Sequence, residues 1–357
     1  MTSDSRRTLE RIALRVPVPE PAYDRMLRRR DRKDRNRRTT AAVVVVALAL
    51  LSIAGLVHAF GNTTRPASTP APHPTGSNLG IFSGIGGWIV YDDQGGIWAY
   101  DPNDPHRPVV HVNSPGGTPI AWSPDGTKLL LLVGRPAQSL YVLNADGTET
   151  RLAHVGANTL LTGGAFSPDG SEVVYAVGPF ALHTRSAIDV VPASGGPPRR
   201  ILSSTHRFFY APGQWTHTLL LSPVFSPDGT QIAYFDGMGD HDNTLRVMNS
   251  DGSGSHLLLK DMGKLSPGPT NLAWSPDGRR LIFAAGYGEY STYGVRADGS
   301  GFRLLARCGH PFLSPDGARI SCTHGPDGAV VLTRADGTFI RTLAIPSNGP
   351  WNPAARS

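Results

Sequence analysis

Chemically active side chains are scattered along this 357-residue chain, and few of them lie close together in sequence. The densest group occupies residues 236–243 (DGMGDHDN) and contains Asp236, Asp240, His241 and Asp242. Carboxylates in one loop suit Ca²⁺, but their spacing does not match the twelve-residue EF-hand loop. We therefore interpret this segment as a solvated acidic loop beside a binding surface, and we predict no metal site.

No signature of catalysis is present in the sequence. It lacks the G-x-S-x-G nucleophile elbow, the HExxH zinc motif, the P-loop and the Cys/His spacing of zinc sites. We predict no catalytic residue, no cofactor and no enzymatic activity. The alternative is a hydrolase or lyase whose carboxylates and histidines meet in a central channel, because a fold does not determine a function.

Aromatic residues form a second candidate group. Residues 203–222 (SSTHRFFYAPGQWTHTLLLS) make up the longest segment between repeats. It contains four large aromatic residues, Phe208, Phe209, Tyr210 and Trp215. Exposed aromatic rings suit contacts with peptides or sugars, so we predict a binding loop here. Tyr287 and Tyr290 fall in another loop that would border the same opening; the alternative is that such rings only pack the loops onto the body.

The two cysteines, Cys308 and Cys322, flank a repeated turn near the C-terminus and lie almost equally far from its centre. A disulfide across two strands is therefore feasible in an oxidising compartment. Two buried free thiols are the alternative.

Repeats provide the elements that position these residues. Five segments carry Ser-Pro-Asp-Gly, then two residues, then an apolar run; they are residues 121–132, 165–176, 224–235, 273–284 and 312–323. Proline sets φ at the first corner of a tight turn, aspartate bonds the local backbone, and glycine takes positive φ. Each motif therefore predicts two antiparallel strands, with the preceding aromatic residue (Trp122, Phe166, Phe225 or Trp274) packed between neighbouring units.

A second strand pair follows each motif. After about twenty residues comes another apolar strand that ends in a turn such as NADG (144–147), NSDG (249–252) or RADG (296–299 and 334–337), and then a short fourth run. Four antiparallel strands in each repeat are typical of a propeller blade.

The W/F-S-P-D-G motif, its apolar strand and the later A-D-G turn together resemble the PD40 (WD40-like) repeat of TolB-type propellers, here in a membrane-anchored bacterial form. The resemblance covers roughly residues 85–345. It implies an all-β fold, a six-bladed β-propeller, within residues 81–357. TolB-type proteins have an α/β domain before the propeller, whereas this chain has an anchor and a linker there.

Five motifs leave a sixth blade to be found. Residues 88–91, 97–100 and 109–110 supply three strands without a preceding motif, and Trp351-Asn352-Pro353 echoes Trp-Ser-Pro near the C-terminus. We predict that the C-terminal segment completes the first blade and closes the ring, which removes open sheet edges. A frayed tail is the alternative.

Blade connectivity separates the turns from the variable loops. The Ser-Pro-Asp-Gly and A-D-G turns join the first strand of a blade to the second and the third to the fourth, so they share one face. The loops that vary in length lie on the opposite face, where binding to a repeated scaffold usually takes place. The aromatic and acidic segments described above fall there.

Residues 41–60 (AAVVVVALALLSIAGLVHAF) form an uncharged stretch long enough to span a bilayer as a helix. The basic segment 28–38 precedes it, which predicts a cytoplasmic N-terminus and a propeller outside the cell membrane. A cleaved signal peptide is the alternative, because Val57-His58-Ala59 has suitable small residues. Residues 61–80, rich in proline, threonine and serine, are interpreted as a linker.

Basic residues are concentrated in the predicted cytoplasmic tail, residues 1–40, which has 13 Arg and Lys against 6 Asp and Glu and is expected to be helical. The rest of the chain has 21 against 22, so a nucleic-acid partner is not expected. The tail either lies on anionic lipid or binds a cytoplasmic regulator, as its similarity to tails of membrane-bound anti-sigma-like proteins implies. We predict a membrane-anchored scaffold that binds an envelope protein, a peptide or a wall glycan.

Overall fold

The computed structural model describes residues 80–354, except for 113, 115, 135–136, 180–184, 206, 212–213, 238–242, 261–269, 287–289 and 326. The predicted tail, the apolar segment 41–60 and the linker up to residue 79 lie outside the described residues. Within the described ranges, no helix is both long enough and apolar enough to cross a bilayer.

All five Ser-Pro-Asp-Gly turns have the same hydrogen bonds. The serine hydroxyl donates a hydrogen bond to the aspartate carboxylate at 2.5–2.6 Å. It also accepts one, at 2.9–3.0 Å, from the backbone N–H of the residue five positions C-terminal to the serine. The glycine donates its N–H to the serine carbonyl, with φ between 69° and 74°. The predicted roles of aspartate and glycine are confirmed, and the serine adds a hydroxyl that bonds both sides of the turn.

These hydrogen bonds also lower the pKa of the motif aspartates. The Ser167 hydroxyl, followed by the N–H and hydroxyl of Ser171, lowers the pKa of Asp169 to about 2. Hydrogen bonds to an ionised carboxylate favour its charged form. The turns therefore hold their aspartates as anions at neutral pH.

Six sheets form the described ring. Blade 1 contains β1 (Ile89–Asp93), β2 (Gly96–Tyr100) and β3 (Val110–Val112); blade 2 contains β4 (Thr118–Trp122), β5 (Lys128–Val133), β6 (Gln138–Asn144) and β7 (Glu149–Val155); blade 3 contains β8 (Thr159–Phe166), β9 (Glu172–Pro179), β10 (Ala187–Pro192) and β11 (Arg199–Ser203). A separate pair, β12 (Arg207–Ala211) and β13 (Gln214–His217), follows blade 3.

The remaining blades continue the same pattern. Blade 4 contains β14 (Leu219–Phe225), β15 (Gln231–Gly237), β16 (Thr244–Asn249) and β17 (His256–Leu259); blade 5 contains β18 (Thr270–Trp274), β19 (Arg280–Ala285), β20 (Ser291–Arg296) and β21 (Arg303–Ala306); blade 6 contains β22 (Gly309–Leu313), β23 (Arg319–His324), β24 (Ala329–Arg334) and β25 (Phe339–Thr342). Consecutive strands pair in chain order within each of blades 2–6. The first strands contact one another from blade to blade, so they surround the central axis. The predicted all-β, six-bladed propeller is confirmed.

Apolar clusters lie between neighbouring blades. Trp122, for example, packs with Phe82 and Trp88 between blades 1 and 2, and Trp274 packs against the cluster between blades 4 and 5. The cluster between blades 5 and 6 is the smallest, with five buried residues against eight to eleven in the others. We call the contact between two neighbouring blades a joint; the joint between blades 5 and 6 therefore has the least buried apolar surface to stabilise it.

The C-terminal segment closes the ring. Trp351 forms an antiparallel bridge with Ile89, and the Val90 N–H donates to the carbonyl of Pro350 at 3.0 Å. The Trp351 side chain is 4% exposed, and its indole N–H donates to the hydroxyl of Ser321 in blade 6 at 3.0 Å. The predicted closure is confirmed, because the chain end pairs with β1 at the place of the inner strand that blade 1 lacks.

Cys308 and Cys322 are joined by a disulfide, with their Cα atoms 5.6 Å apart. The bond links the start of blade 6 to its second strand. It lies within the small apolar cluster between blades 5 and 6.

Candidate functional site

The loop face is the side of the ring opposite the Ser-Pro-Asp-Gly turns. Its connections run from the second to the third strand within a blade and from the fourth strand to the next blade. The longer connections on this face are residues 180–186, 204–218, 238–243, 260–269 and 286–290, which belong to blades 3 to 5. Every predicted ligand-binding residue falls in or beside them.

The aromatic segment is a β-hairpin rather than the predicted loop. Phe208, Phe209 and Tyr210 belong to β12, and Trp215 belongs to β13, with Phe209 and Trp215 as paired positions. The last residues of the predicted loop, from Leu219 onward, form the inner strand of blade 4. The sequence favours a hairpin here, because two short segments with aromatic residues lie on either side of the dipeptide Pro-Gly.

Buried serines fix the base of this hairpin. The Ser186 hydroxyl donates to the Thr218 carbonyl and accepts the N–H of Leu220, both at 2.9 Å. Ser186 and Ser204 also pair through their backbones at 2.9 Å. Both serine side chains are almost completely buried, at 0% and 2% exposure. Hydrogen bonds therefore fix both ends of the hairpin to blade 3. The sequence did not indicate these contacts, because Ser186 belongs to no repeated motif.

The acidic segment begins later than predicted. Asp236 lies in β15, is buried, and pairs with Thr244 across the blade; its carbonyl accepts the threonine hydroxyl at 2.9 Å. Because Asp236 is part of the β15–β16 strand pairing, it does not belong to the exposed loop. Asp240, His241 and Asp242 lie outside the described residues. Among the described residues, no group of three His, Cys, Asp or Glu side chains could hold a metal ion.

Tyr290 lies beside His310, a residue that the sequence analysis did not select. Their ring centroids are 5.4 Å apart, at an angle of 42°. Burial raises the pKa of Tyr290, and burial lowers the pKa of His310 although the histidine side chain reaches solvent. The two rings therefore bring blades 5 and 6 into contact on the loop face. Tyr287 lies outside the described residues.

Backbone kinks mark the loop-face ends of the inner strands. Ser222, Asn271 and His310 have φ of 49°, 52° and 48°, and each precedes its motif serine by four residues. All three lie where the register between the first two strands shifts. Bulges of this kind redirect side chains near binding sites. No sequence pattern revealed them, because three different residue types occupy equivalent positions.

The C-terminal segment also contributes to this edge. The Asn348 side-chain amide donates to the carbonyls of His310 and Ser321, both at 2.9 Å. The loop face thus combines an inserted hairpin, a tyrosine–histidine pair and the polar side chain of Asn348. Such a surface can bind a ligand through aromatic contacts and hydrogen bonds.

No family model and no curated protein matches this chain. Several solved structures share its architecture. TolB from Acinetobacter baumannii is 16% identical with a TM-score of 0.57, and the alignment covers 74% of this chain and 66% of that one. A putative TolB from Agrobacterium tumefaciens is 24% identical with a TM-score of 0.50, covering 66% and 85%.

A chain of the nidogen/laminin complex is 15% identical with a TM-score of 0.55, and the alignment covers 75% of this chain and 99% of that one. The chain spans about two thirds of the length of the Acinetobacter TolB. At these identities the similarity establishes the TolB-like propeller fold, and it does not identify a ligand.

Proposed function

We propose that this chain is a membrane-anchored scaffold whose propeller lies outside the cell membrane and binds a protein or peptide on its loop face. The hairpin β12–β13 carries the proposal, because it is the one sheet of the described residues that lies outside the six blades. An insertion rich in aromatic residues and fixed at its base has the composition of binding hot spots. One structurally similar chain comes from a complex between two proteins, which supports a protein as the class of partner.

Anchoring rests on the apolar stretch 41–60 and the basic segment before it. Protease added to intact cells or spheroplasts should remove the propeller and leave a membrane-bound fragment that contains the tail. Recovery of the protein in a fraction free of membranes would contradict this part of the proposal.

Replacement of the hairpin tests the binding role. Because Ser186 ties Ser204 to Thr218, residues 206–217 can be exchanged for a short Gly-Ser linker without opening blade 4. The full chain with this exchange should keep its melting temperature and lose the partner that co-purifies with the unchanged chain from membranes. The control replaces Asp146 and Thr148, two exposed residues of a turn on the opposite face, by serine.

A partner set that is the same with and without the hairpin would contradict the proposal. Recovery of wall glycan instead of protein would move the ligand to the second predicted class.

A further inference from the structure

A cavity of about 580 Å³ opens on the turn-bearing face, between blades 5 and 6. The Ser-Pro-Asp-Gly and A-D-G turns of these two blades surround it, so it lies on the face opposite the loop face. Charged residues in its lining are four arginines and two aspartates: Arg279, Arg280, Arg296, Arg303, Asp277 and Asp316. We call these six residues and the space between them the arginine cleft.

A missing side chain helps to create the cleft. Gly294 lines it, in the third strand of blade 5, opposite Ile282 in the register. The corresponding positions of the other four motif-bearing blades hold Val142, Val190, Val247 and Leu332, and all four are buried in the clusters that lie between blades. Blade 5 lacks this apolar side chain. Leu305, which also lines the cleft, lies over Gly294 with its Cδ1 3.0 Å from the place of a Cβ, and the cluster between blades 5 and 6 stays small.

The arginines of the cleft have spare hydrogen-bonding capacity. Among the described residues, the ion pairs within 4.0 Å involve Arg107 and Arg200 and none of the four cleft arginines. Arg296 has a 3.5 Å contact to the hydroxyl of Ser300. All four side chains are exposed. Their guanidinium groups are therefore available to an incoming acceptor.

The two aspartates of the cleft are engaged by their own turns. Asp277 accepts the Ser275 hydroxyl and the Arg279 N–H, and Asp316 accepts the Ser314 hydroxyl and the Ala318 N–H, at 2.5–3.0 Å. The hydrogen bond from Ser275, with the nearby guanidinium groups of Arg279 and Arg280, lowers the pKa of Asp277. Their carboxylates offset part of the positive charge, and the arginines remain in excess.

The next joint of the ring shows what such arginines bind. Arg319 and Arg341 of blade 6 correspond to Arg280 and Arg303 of blade 5. Arg319 donates to the side-chain oxygen of Asn103 at 2.6 Å, and Arg341 donates to the carbonyl of Pro102. Blade 1 supplies both acceptors, because its connection between β2 and β3 is a long turn that starts Asp-Pro-Asn-Asp-Pro.

Blade 6 has only a short A-D-G turn at the corresponding place, so the cleft between blades 5 and 6 stays open. We infer that the arginine cleft is a second binding site, which takes an acidic, turn-forming peptide segment of a partner protein. The bound turn of blade 1 indicates the shape of the ligand. The arginines indicate its charge, since guanidinium groups bind carboxylates through paired hydrogen bonds.

The probe is a fluorescein-labelled peptide with two copies of Asp-Pro-Asn-Asp-Pro, titrated against the purified full chain and followed by fluorescence anisotropy. The variant Arg280→Gln/Arg303→Gln should weaken binding at least about tenfold, the effect of losing charge-assisted hydrogen bonds. Gly294→Val should weaken it as much without changing the charge, because its Cβ would lie 3.0 Å from Leu305 and force that side chain, which lines the cleft, out of its place.

The matched control is Lys128→Gln/Arg199→Gln, which removes two positive charges from the corresponding positions of blades 2 and 3; it should bind within about twofold of the unchanged chain. A peptide with asparagine in place of every aspartate should bind at least about tenfold more weakly. The hairpin replacement should bind the peptide normally, which separates this site from the loop face.

Three results would overturn the inference. The first is no binding of the acidic peptide up to about 1 mM. The second is an equal loss in the control variant, which would show a diffuse charge effect. The third is binding of an anionic polysaccharide such as alginate through the same arginines when the peptide does not bind.

Discussion

At the scale of single residues, glycines in the second turn decide how closely neighbouring blades approach. Gly147 and Gly337 occupy the same position of the A-D-G turn, with φ of 84° and 95°. A side chain at Gly147 would meet only the tip of Ile81, at 4.0 Å, whereas one at Gly337 would overlap the backbone carbonyl of Leu305 in blade 5. The same substitution therefore has different consequences at the two sites.

We expect Gly147→Ala to lower the free energy of unfolding by about 1–2 kcal/mol, because alanine disfavours positive φ. Gly337→Ala should cost roughly 2 kcal/mol more, because blade 6 must also move away from blade 5. Urea denaturation of both variants measures the difference. Equal losses would show that contact between the blades does not constrain Gly337.

The residue roles that the sequence predicted are local ones. The aspartate and glycine of each motif were predictable because a tight turn needs them whatever surrounds it. Gly294 and the four arginines of the cleft were not predictable, because their importance arises only when blades 5 and 6 meet. His310 was missed for a similar reason, since its contact with Tyr290 joins two blades.

At the scale of elements, the repeat predicted the blades and missed the hairpin. The strand pairs follow from apolar runs bounded by turn motifs, so they could be placed one after another along the chain. Residues 207–217 interrupt that period, which predicts a loop, although Pro-Gly between two aromatic runs is itself a hairpin signal. The insertion is stable because Ser186, Ser204 and Thr218 meet beneath it, and these residues are separated in sequence.

The disulfide also acts between elements, because its two cysteines lie in the apolar cluster that joins blades 5 and 6. Loss of a bond between cysteines 14 positions apart in sequence should lower the free energy of unfolding by about 2–4 kcal/mol. Urea denaturation with and without dithiothreitol measures this for the unchanged chain. The variant Cys308→Ala/Cys322→Ala should match the reduced protein and should not respond to dithiothreitol.

An unchanged midpoint under reducing conditions would contradict a stabilising role for Cys308–Cys322. The small apolar cluster between blades 5 and 6 would then be sufficient to hold this joint.

At the scale of the whole molecule, both ends of the propeller belong to one blade. The closure was predictable because the residues Trp351-Asn352-Pro353 echo the repeat, and because five motifs leave the first blade without an inner strand. The contacts of Trp351 with Ser321 and Arg319 were not predictable, since they join the chain end to blade 6.

Deletion of residues 346–357 should lower the free energy of unfolding by at least about 3 kcal/mol, because the buried Trp351 side chain and its backbone pairing with Ile89 are lost together. Thermal unfolding of the full chain and the truncated chain measures this effect. Removal of residues 355–357 alone, which follow the closing contacts, is the control. An unchanged midpoint after the longer deletion would contradict closure by the C-terminus.

The central claim is that partners bind the loop face through the hairpin. The most direct measurement is photo-crosslinking in membranes, with benzoylphenylalanine in place of Trp215 on the hairpin. Leu257 is the control position, because it is an apolar residue of the outer strand of blade 4, away from the arginine cleft, and is 42% exposed. We expect a specific crosslinked partner from position 215 and none from position 257; the same crosslinks from both positions, or crosslinks from position 257 alone, would contradict the account.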